Sequence, residues 1–210
     1  MQFGVDEAGK GPVLGSMFAA AVRAPQEALP DGIDDSKRLS PARREELSGK
    51  IRTDDRITVG LAEIRPSRID AGNMNELTVA AHAEAANEVA ESGDSGLFDA
   101  ADVDAERFAA RVGEKLNVDV TVGAVHGADA SSDLVGAASI VAKSARERHV
   151  ESLRERFGEV GSGYPSDSTT RAFLRKYLNE RGEFPPPTRL SWSTCASIRA
   201  ELEQSGIDEF

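Results

Sequence analysis

The chain opens with Gln2-Phe-Gly-Val-Asp-Glu-Ala-Gly-Lys-Gly-Pro12, and a second apolar run follows over 16–22. An apolar segment that ends in two acids, then a glycine-containing loop over 8–15, then another apolar segment is typical of two strands joined by a turn. The sequence therefore predicts an opening β-hairpin, with Asp6 and Glu7 at the end of its first strand.

Helical and extended patterns alternate along the rest of the chain. Ser40 followed by Pro41 is typical of the N-cap and first turn of a helix. Further strands are predicted over 56–64, 96–101 and 118–125, and helices over 41–52, 75–91, 104–116, 133–157, 169–181 and 190–204. Strands with helices between them and helices last favour an α/β fold, with a mixed central sheet flanked by helices and a C-terminal helical appendage.

The charge balance is strongly acidic, with a formal net charge of -11. Such a charge argues superficially against a nucleic-acid partner, because phosphate binding normally needs a basic surface. Only six of the 25 basic residues are lysine, however, and acids are scattered throughout, as on the surface of proteins from salt-loving organisms. Local basic clusters can still bind phosphate there. The single cysteine, Cys195, excludes an internal disulfide and is interpreted as a buried thiol.

Acids follow three of the predicted strands: the pair Asp6 and Glu7, then Asp99, then Asp129. Carboxylates that meet at strand ends provide an all-oxygen site, which suits hard cations such as Mg²⁺ or Mn²⁺. Two such ions can promote hydrolysis of a phosphodiester. The spacing alone leaves open the alternative that an acidic chain places carboxylates there by chance.

The segment 4–10 also matches most of a nucleotide-binding P-loop, G-x-x-x-x-G-K-[ST]. The match fails at its last position, where Gly11 replaces the hydroxyl that would hold Mg²⁺. Asp6 and Glu7 would in addition repel the phosphates. We therefore disfavour a nucleotide-hydrolysing site.

Six blocks of sequence, in order, resemble those of type 2 ribonucleases H, and they span nearly the whole chain. They are Asp6-Glu-Ala-Gly-Lys-Gly-Pro12, Asp35-Ser-Lys-Arg-Leu39, Phe98-Asp-Ala-Ala-Asp-Val-Asp104, Ala128-Asp129, Ala137-Ala-Ser-Ile-Val-Ala-Lys143 and Gly161-Ser-Gly-Tyr-Pro-Ser-Asp167. The likeness is closest to archaeal members, and the acidic, lysine-poor composition points to a haloarchaeal one.

This resemblance implies a ribonuclease H-like fold and an endonuclease. Such an enzyme hydrolyses the RNA strand of RNA–DNA hybrids and cuts 5′ of ribonucleotides embedded in duplex DNA, by two-metal-ion catalysis that leaves 3′-OH and 5′-phosphate ends. Asp6, Glu7, Asp99 and Asp129 match the family's four metal-binding acids, which hold Mg²⁺ or Mn²⁺.

The resemblance also implies a set of substrate contacts. The loop Gly9-Lys10-Gly11 matches the loop that senses the ribose 2′-OH through its backbone, and that hydroxyl distinguishes RNA from DNA. Tyr164 matches the tyrosine that stacks on the sugar at the RNA-to-DNA junction. Ser139 and Lys143, four residues apart on one helix face, match a pair that holds a DNA phosphate.

Two segments depart from the family pattern. Val125-His126-Gly127 stands where archaeal relatives often carry more basic residues, and Arg146-Glu147 replaces the usual Arg-Asp. His126, three residues before Asp129, is a candidate for ordering the site. His82 and His149 fall in helices and are interpreted as structural or surface groups.

Other functions remain open at this level: a type 1 or type 3 ribonuclease H, a resolvase, or a non-catalytic nucleic-acid adaptor, because the fold alone does not choose among them. Type 3 enzymes carry an extra N-terminal domain, and acids that begin at residue 6 leave no room for one. Retention of all four acids disfavours an adaptor.

The predicted organisation is a catalytic core over 1–157, a helical region packed on it over 158–203 and a tail over 204–210. Within the tail, the spacing of Gln204, Ile207 and Phe210 resembles the peptide that docks on DNA sliding clamps, although only one terminal aromatic is present. The start of the chain does not resemble a signal peptide, and no apolar run approaches membrane-spanning length. We expect a cytoplasmic monomer that makes no membrane contact.

Overall fold

The computed structural model describes residues 1–33 and 39–207. Most of the block Asp35-Ser-Lys-Arg-Leu39, and Phe210 of the tail, therefore lie outside the described residues. The chain divides into two compact units. The first comprises Met1–Lys10, Met17–Ile64 and Asn73–Glu147, and the second comprises Gly11–Ser16, Arg65–Gly72 and Arg148–Phe210.

A five-stranded mixed sheet lies in the first unit. Its strands are β1 (Gln2–Ala8), β2 (Met17–Arg23), β3 (Thr58–Ile64), β4 (Ser95–Asp99) and β5 (Thr121–Val125). The strand order is β3-β2-β1-β4-β5. β2 is antiparallel to both β1 and β3, whereas β4 is parallel to β1 and β5. The predicted opening hairpin and the predicted mixed sheet are both confirmed.

Seven α-helices are described: α1 (Pro41–Thr53), α2 (Pro66–Asp70), α3 (Met74–Asn87), α4 (Ala105–Gly113), α5 (Asp133–Phe157), α6 (Ser168–Arg181) and α7 (Ser193–Ile207). The predicted N-cap is confirmed, because Ser40 Oγ accepts a hydrogen bond from the Arg43 N–H. The short helix α2 was not predicted. Within the described residues, no helix is both long enough and apolar enough to traverse a lipid bilayer.

The start of the last helix differs from the prediction of residue 190. The Asp70 carboxylate accepts hydrogen bonds of 2.9 Å from the backbone N–H groups of both Leu190 and Ser191. These two residues are therefore held in a turn, and α7 begins only at Ser193.

The side chains of β1 alternate between the two faces of the sheet. On one face, a Cβ added to Gly4 would lie 2.3 Å from the Val135 nitrogen, so the start of α5 packs directly on the strand. An apolar cluster that includes Ala8, Leu47 and Ile140 covers this face. Each Leu or Ile buried there contributes about 1.5–3 kcal/mol. On the opposite face, Phe3 meets Phe98 edge-on with ring centroids 5.8 Å apart.

The second unit has a core of its own. Val13 and Leu14 pack there with apolar residues of α6, α7 and the end of α5. Leu14 also forms an isolated β-bridge with Thr188. Cys195 is buried in this core, and its burial raises the pKa of the thiol to about 11. The interpretation of Cys195 as a buried thiol is confirmed.

Candidate active site

The four predicted acids lie at one end of three neighbouring parallel strands. Asp6 and Glu7 lie near the C-terminal end of β1, and Asp99 is the last residue of β4. Asp129 lies in the 3-10 turn Ala128–Ala130 after β5. The register pairs Val5 with Phe98, so Asp6 and Asp99 follow at the same level of the sheet. The structure thus brings the acids to a common edge, as the strand pattern predicts.

Asp6 is almost completely buried, with 5% of its surface exposed. Its Oδ1 accepts a 2.7 Å hydrogen bond from the Glu7 N–H, and its carboxylate is also hydrogen-bonded to the Ser139 side chain. Burial raises the pKa of Asp6 to about 6, and repulsion from Glu7 and Asp99 adds to the rise. Asp6 therefore resists ionisation at this site.

Glu7 points to the opposite face of the sheet and meets a different helix. Its Oε2 lies 2.7 Å from Nε2 of His82 on α3. Burial alone would raise the pKa of Glu7, but the hydrogen bond to His82 and the attraction of His82 and Lys10 lower it below its ordinary value. Adjacent carboxylates thus have oppositely shifted affinities for a proton.

The backbone after β5 holds Asp99. Its Oδ1 accepts hydrogen bonds from Gly127 N–H at 2.7 Å and from Ala128 N–H at 3.1 Å. Gly127 has a φ of 68°, a left-handed conformation that favours glycine. Burial raises the pKa of Asp99, and repulsion from Asp129 and Glu7 contributes to that rise.

His126 lies next to this turn. Its Nδ1 is 3.2 Å from the Ala100 carbonyl oxygen, an arrangement in which Nδ1 donates. His126 is exposed and touches the chain just after Asp99. This contact links the turn before Asp129 to the end of β4, and Asp129 itself is only 5% exposed. The ordering role of His126 stays a prediction.

The donor set fits a hard divalent cation. All four side chains offer carboxylate oxygens. Burial and mutual repulsion raise the pKa of Asp6 and of Asp99, and a cation would stabilise the ionised form of both. In the described part of the chain, no three His, Cys, Asp or Glu side chains form a ready-made metal cage. The fit therefore rests on donor chemistry and on the electrostatic coupling of the acids.

Four of the predicted substrate contacts lie in the first unit. Gly9 adopts a φ of 87°, and Lys10 Nζ donates a 2.8 Å hydrogen bond to the Ala101 carbonyl. Lys143 Nζ donates a 2.7 Å hydrogen bond to Ser139 Oγ, one helical turn earlier on α5. Ser139 is fully buried, whereas Lys143 is half-buried. The serine therefore connects Lys143 to Asp6.

The other two predicted contacts, Gly11 and Tyr164, lie together in the second unit. A Cβ added to Gly11 would be 3.6 Å from the Tyr164 ring. The Val13 N–H donates to the Gly163 carbonyl at 2.8 Å, and Trp192 Nε1 donates to the Gly11 carbonyl at 3.2 Å. The tyrosine is 39% exposed, so its ring is accessible beside the glycine.

His82 is the residue of this site that sequence reasoning missed. The helical pattern of α3 buries Thr78, His82 and Ala85 on one face, and a histidine among buried positions was the available signal. Its partner Glu7 is 75 residues away in the sequence, so the pattern could not reveal the contact.

Of the predicted clamp-binding residues, Gln204 is exposed near the end of α7. The backbone of α7 extends to Ile207. The side chain of Ile207, and the whole of Phe210, lie outside what the structure describes.

Comparison with known proteins agrees with this geometry. The ribonuclease HII family model matches residues 3–195. Ribonuclease HII of the haloarchaeon Natronomonas pharaonis is 65% identical over 207 residues, covering 99% of this chain and 98% of that protein. This similarity confirms the expectation of an archaeal and haloarchaeal member.

Solved structures give the same result. Ribonuclease H2 from Pyrococcus horikoshii superposes with a TM-score of 0.89 at 38% identity, covering 96% of this chain and 98% of that one. The ribonuclease HII in a PCNA:RNase HII complex from Archaeoglobus fulgidus superposes with a TM-score of 0.83 at 36% identity, covering 95% and 97%. The chain therefore belongs to the ribonuclease HII family, whose members are endonucleases that hydrolyse the RNA strand of RNA–DNA hybrids.

Proposed function

We propose that Asp6, Glu7, Asp99 and Asp129 are the catalytic acids of this nuclease and that they hold Mg²⁺ or Mn²⁺. The observation that carries the proposal is the convergence of the four acids at the ends of β1, β4 and β5, where each of Asp6 and Asp99 is electrostatically coupled to other members of the set. Family membership implies dependence on a divalent metal, and these carboxylates are the donors that suit it.

Two bound cations would supply the Lewis acidity that activates water and stabilises the leaving oxygen. The protein's own contribution is to fix the carboxylates before substrate arrives. Gly127 and Ala128 hold Asp99 through their N–H groups, and Ser139 and the Glu7 N–H hold Asp6. Because these carboxylates are already held in place, they need little reorganisation when the transition state forms.

Substrate choice is assigned to the loop Gly9-Lys10-Gly11 and to Tyr164. A left-handed Gly9 lets the backbone approach a sugar closely, and the 2′-OH is the group by which RNA differs from DNA. The exposed ring of Tyr164 beside Gly11 suits stacking on the sugar at the RNA-to-DNA junction. With these contacts the enzyme would also cut 5′ of single ribonucleotides in duplex DNA, leaving 3′-OH and 5′-phosphate ends.

The DNA phosphate is assigned to Lys143, with Ser139 as its support. The hydrogen bond from Nζ to the buried Oγ limits where the ammonium can lie. A fixed cation of this kind sets the register of a duplex without reading its sequence. The acidic chain therefore binds nucleic acid through a local contact rather than through its net charge.

The test is a cleavage assay on an RNA–DNA hybrid with Mg²⁺, with Mn²⁺ and with chelator. We expect cutting of the RNA strand with either metal, none with chelator, and none of a DNA duplex of the same sequence. An adaptor without catalytic function would bind the hybrid and cut nothing under every condition, and that result would overturn the proposal.

A sliding clamp is the proposed protein partner, reached through Gln204, Ile207 and Phe210. Support comes from the exposed position of Gln204 near the end of α7 and from the known complex of the Archaeoglobus fulgidus ribonuclease HII with PCNA. A single aromatic anchor buries little apolar area, so binding should be weak. A tethered enzyme acts on newly replicated DNA, and in an archaeal cell that DNA lies in the cytoplasm.

Calorimetric titration of the cognate clamp tests this partner. Intact protein should release heat on binding, and protein truncated before Gln204 should release none, while both cut a short duplex equally. Phe210→Ala should weaken binding, whereas the matched tail variant Ser205→Ala should not. Equal heats from intact and truncated protein would exclude the tail as the docking segment.

A further inference from the structure

His82 is a fully buried histidine whose ring packs among aromatic side chains. Its ring stacks on Phe98 with centroids 6.1 Å apart and meets Phe108 edge-on at 5.1 Å. All three rings are almost completely buried in the first unit. An apolar side chain of similar size would fill this space equally well.

The polar atoms of His82 show that packing is not its whole role. Nε2 lies 2.7 Å from Glu7 Oε2, and an ionised carboxylate can only accept, so Nε2 carries the proton. Nδ1 has no hydrogen-bond partner among the described residues. A buried polar atom without a partner destabilises the fold, and a residue that served packing alone would avoid that cost.

Successive side chains of β1 alternate between the two faces of the sheet, and this explains why Glu7 needs such a partner. Asp6 faces α5, where Ser139 is hydrogen-bonded to it, but Glu7 faces α3. On that face the His82 ring packs against Phe98 and Phe108, whose apolar rings provide no hydrogen-bond donor for a carboxylate. His82 supplies the hydrogen-bond donor from α3 on that face.

We infer that His82 is a positioning residue, which holds the Glu7 carboxylate in place for the divalent metal through its Nε2–H. This inference rests on the proposed metal role of Glu7. Hydrogen-bonding partners of metal ligands typically contribute 10- to 100-fold in metal affinity or activity, which sets the expected size of the effect at roughly 10-fold or more.

Two substitutions separate the hydrogen bond from the packing. His82→Phe keeps a ring between Phe98 and Phe108 but removes the donor, and His82→Gln keeps a donor while it removes the ring. Phe108→Leu is the matched control, because it disturbs the same packing without touching the donor. The readouts are Mn²⁺ affinity by calorimetry in the absence of nucleic acid, thermal unfolding, and kcat and KM on a hybrid.

We expect His82→Phe to weaken Mn²⁺ binding by roughly 10-fold or more and to lower kcat at fixed metal while KM for the hybrid is unchanged. His82→Gln should restore most of both. Phe108→Leu should lower the melting temperature and leave Mn²⁺ affinity unchanged. Mn²⁺ binding by His82→Phe that equals or exceeds that of the wild type would overturn the inference, as would an equal loss in Phe108→Leu.

A measurement on the unaltered protein decides the question if His82→Phe fails to fold. With ¹⁵N-labelled histidine, the Nε2–H resonance of His82 should be protected from exchange and should shift as Mg²⁺ is added. The ring of His149, whose Nε2 accepts from the Ser16 N–H, should not respond. A His82 Nε2–H resonance that does not shift when Mg²⁺ is added would refute the positioning role. Metal binding without cleavage of hybrids would instead refute the proposed function, but it would not contradict the positioning role of His82.

Discussion

Asp6 and Glu7 are adjacent in sequence, yet their carboxylates are bonded to different helices on opposite faces of the sheet. Ser139 of α5 is hydrogen-bonded to Asp6, and His82 of α3 to Glu7. The two environments shift the proton affinities in opposite directions, with the pKa of Asp6 raised to about 6 and that of Glu7 lowered. The paired acids are therefore not equivalent.

This asymmetry predicts how the stability of the metal-free protein depends on pH. Folding raises the pKa of Asp6 from 3.8 to about 6, so the folded chain favours the protonated form. Protonated Asp6 stabilises the folded state relative to the unfolded state. This stabilisation is fully present below about pH 4 and is lost as the pH rises through about 6. Asp6→Asn cannot ionise and should be more stable than the wild type above that range, by up to about 3 kcal/mol.

Urea unfolding in chelator at about pH 4 and about pH 8 measures this difference. The advantage of Asp6→Asn should be present at the higher pH and small at the lower one. Asp119→Asn, at an exposed position, serves as the control and should show no advantage at either pH. A constant advantage of Asp6→Asn at both values would show that Asp6 is not held away from ionisation.

Lys143 should contribute to substrate binding more than to turnover. Lys143→Met removes the ammonium that Ser139 holds and should raise KM for a hybrid by roughly 10-fold, equivalent to about 1.4 kcal/mol, with kcat little changed. Lys115→Met, which removes an exposed lysine elsewhere, should leave both constants unchanged. Steady-state kinetics at several salt concentrations makes the comparison, and a fall in kcat at constant KM would contradict a phosphate contact.

Tyr164 should matter most where only one ribonucleotide is present. Tyr164→Ala removes the ring beside Gly11 and should slow cleavage at a single embedded ribonucleotide by roughly 10-fold or more, with a smaller loss on long hybrids. Tyr164→Phe retains the ring and should retain most activity on both substrates. Parallel assays compare the two, and equal losses for Tyr164→Ala would argue against stacking at the junction.

The acidic surface predicts tolerance of high salt. At a net charge of -11, self-repulsion is relieved when salt screens it, and activity should persist in molar KCl. Initial rates and melting temperatures measured across a KCl series test this expectation. An optimum near about 0.1 M followed by collapse would remove the link between composition and a salt-rich cell.

Much of the fold follows from local pattern. Ser40 and Pro41 start α1 as predicted, and the apolar runs around the loop after Glu7 form the antiparallel pair β1 and β2. Such features depend on residues that are close in sequence, and they can therefore be predicted from one amino-acid sequence. The convergence of the four acids also follows, because the ends of parallel strands meet at one edge.

Contacts between distant residues could not be read in this way. His82 looked like an ordinary helical residue because its partner lies on β1, and the buried position of Ser139 between Asp6 and Lys143 depends on how α5 packs. The turn before α7 likewise depends on Asp70, more than a hundred residues earlier. Tertiary packing decides all three, and none has a local signature.

We propose that the site formed by the four convergent carboxylates cuts the strand at a ribonucleotide. The most direct measurement is single-turnover cleavage, with Mg²⁺ or Mn²⁺, of a DNA duplex that contains one ribonucleotide, with the cut mapped at nucleotide resolution for the wild type, Asp99→Asn and Asp129→Asn. We predict a wild-type cut 5′ of the ribonucleotide, and variants that bind the duplex with similar affinity but cut it about 10²- to 10³-fold more slowly. Near wild-type rates in either variant, or a cut elsewhere in the duplex, would refute this assignment of the catalytic site.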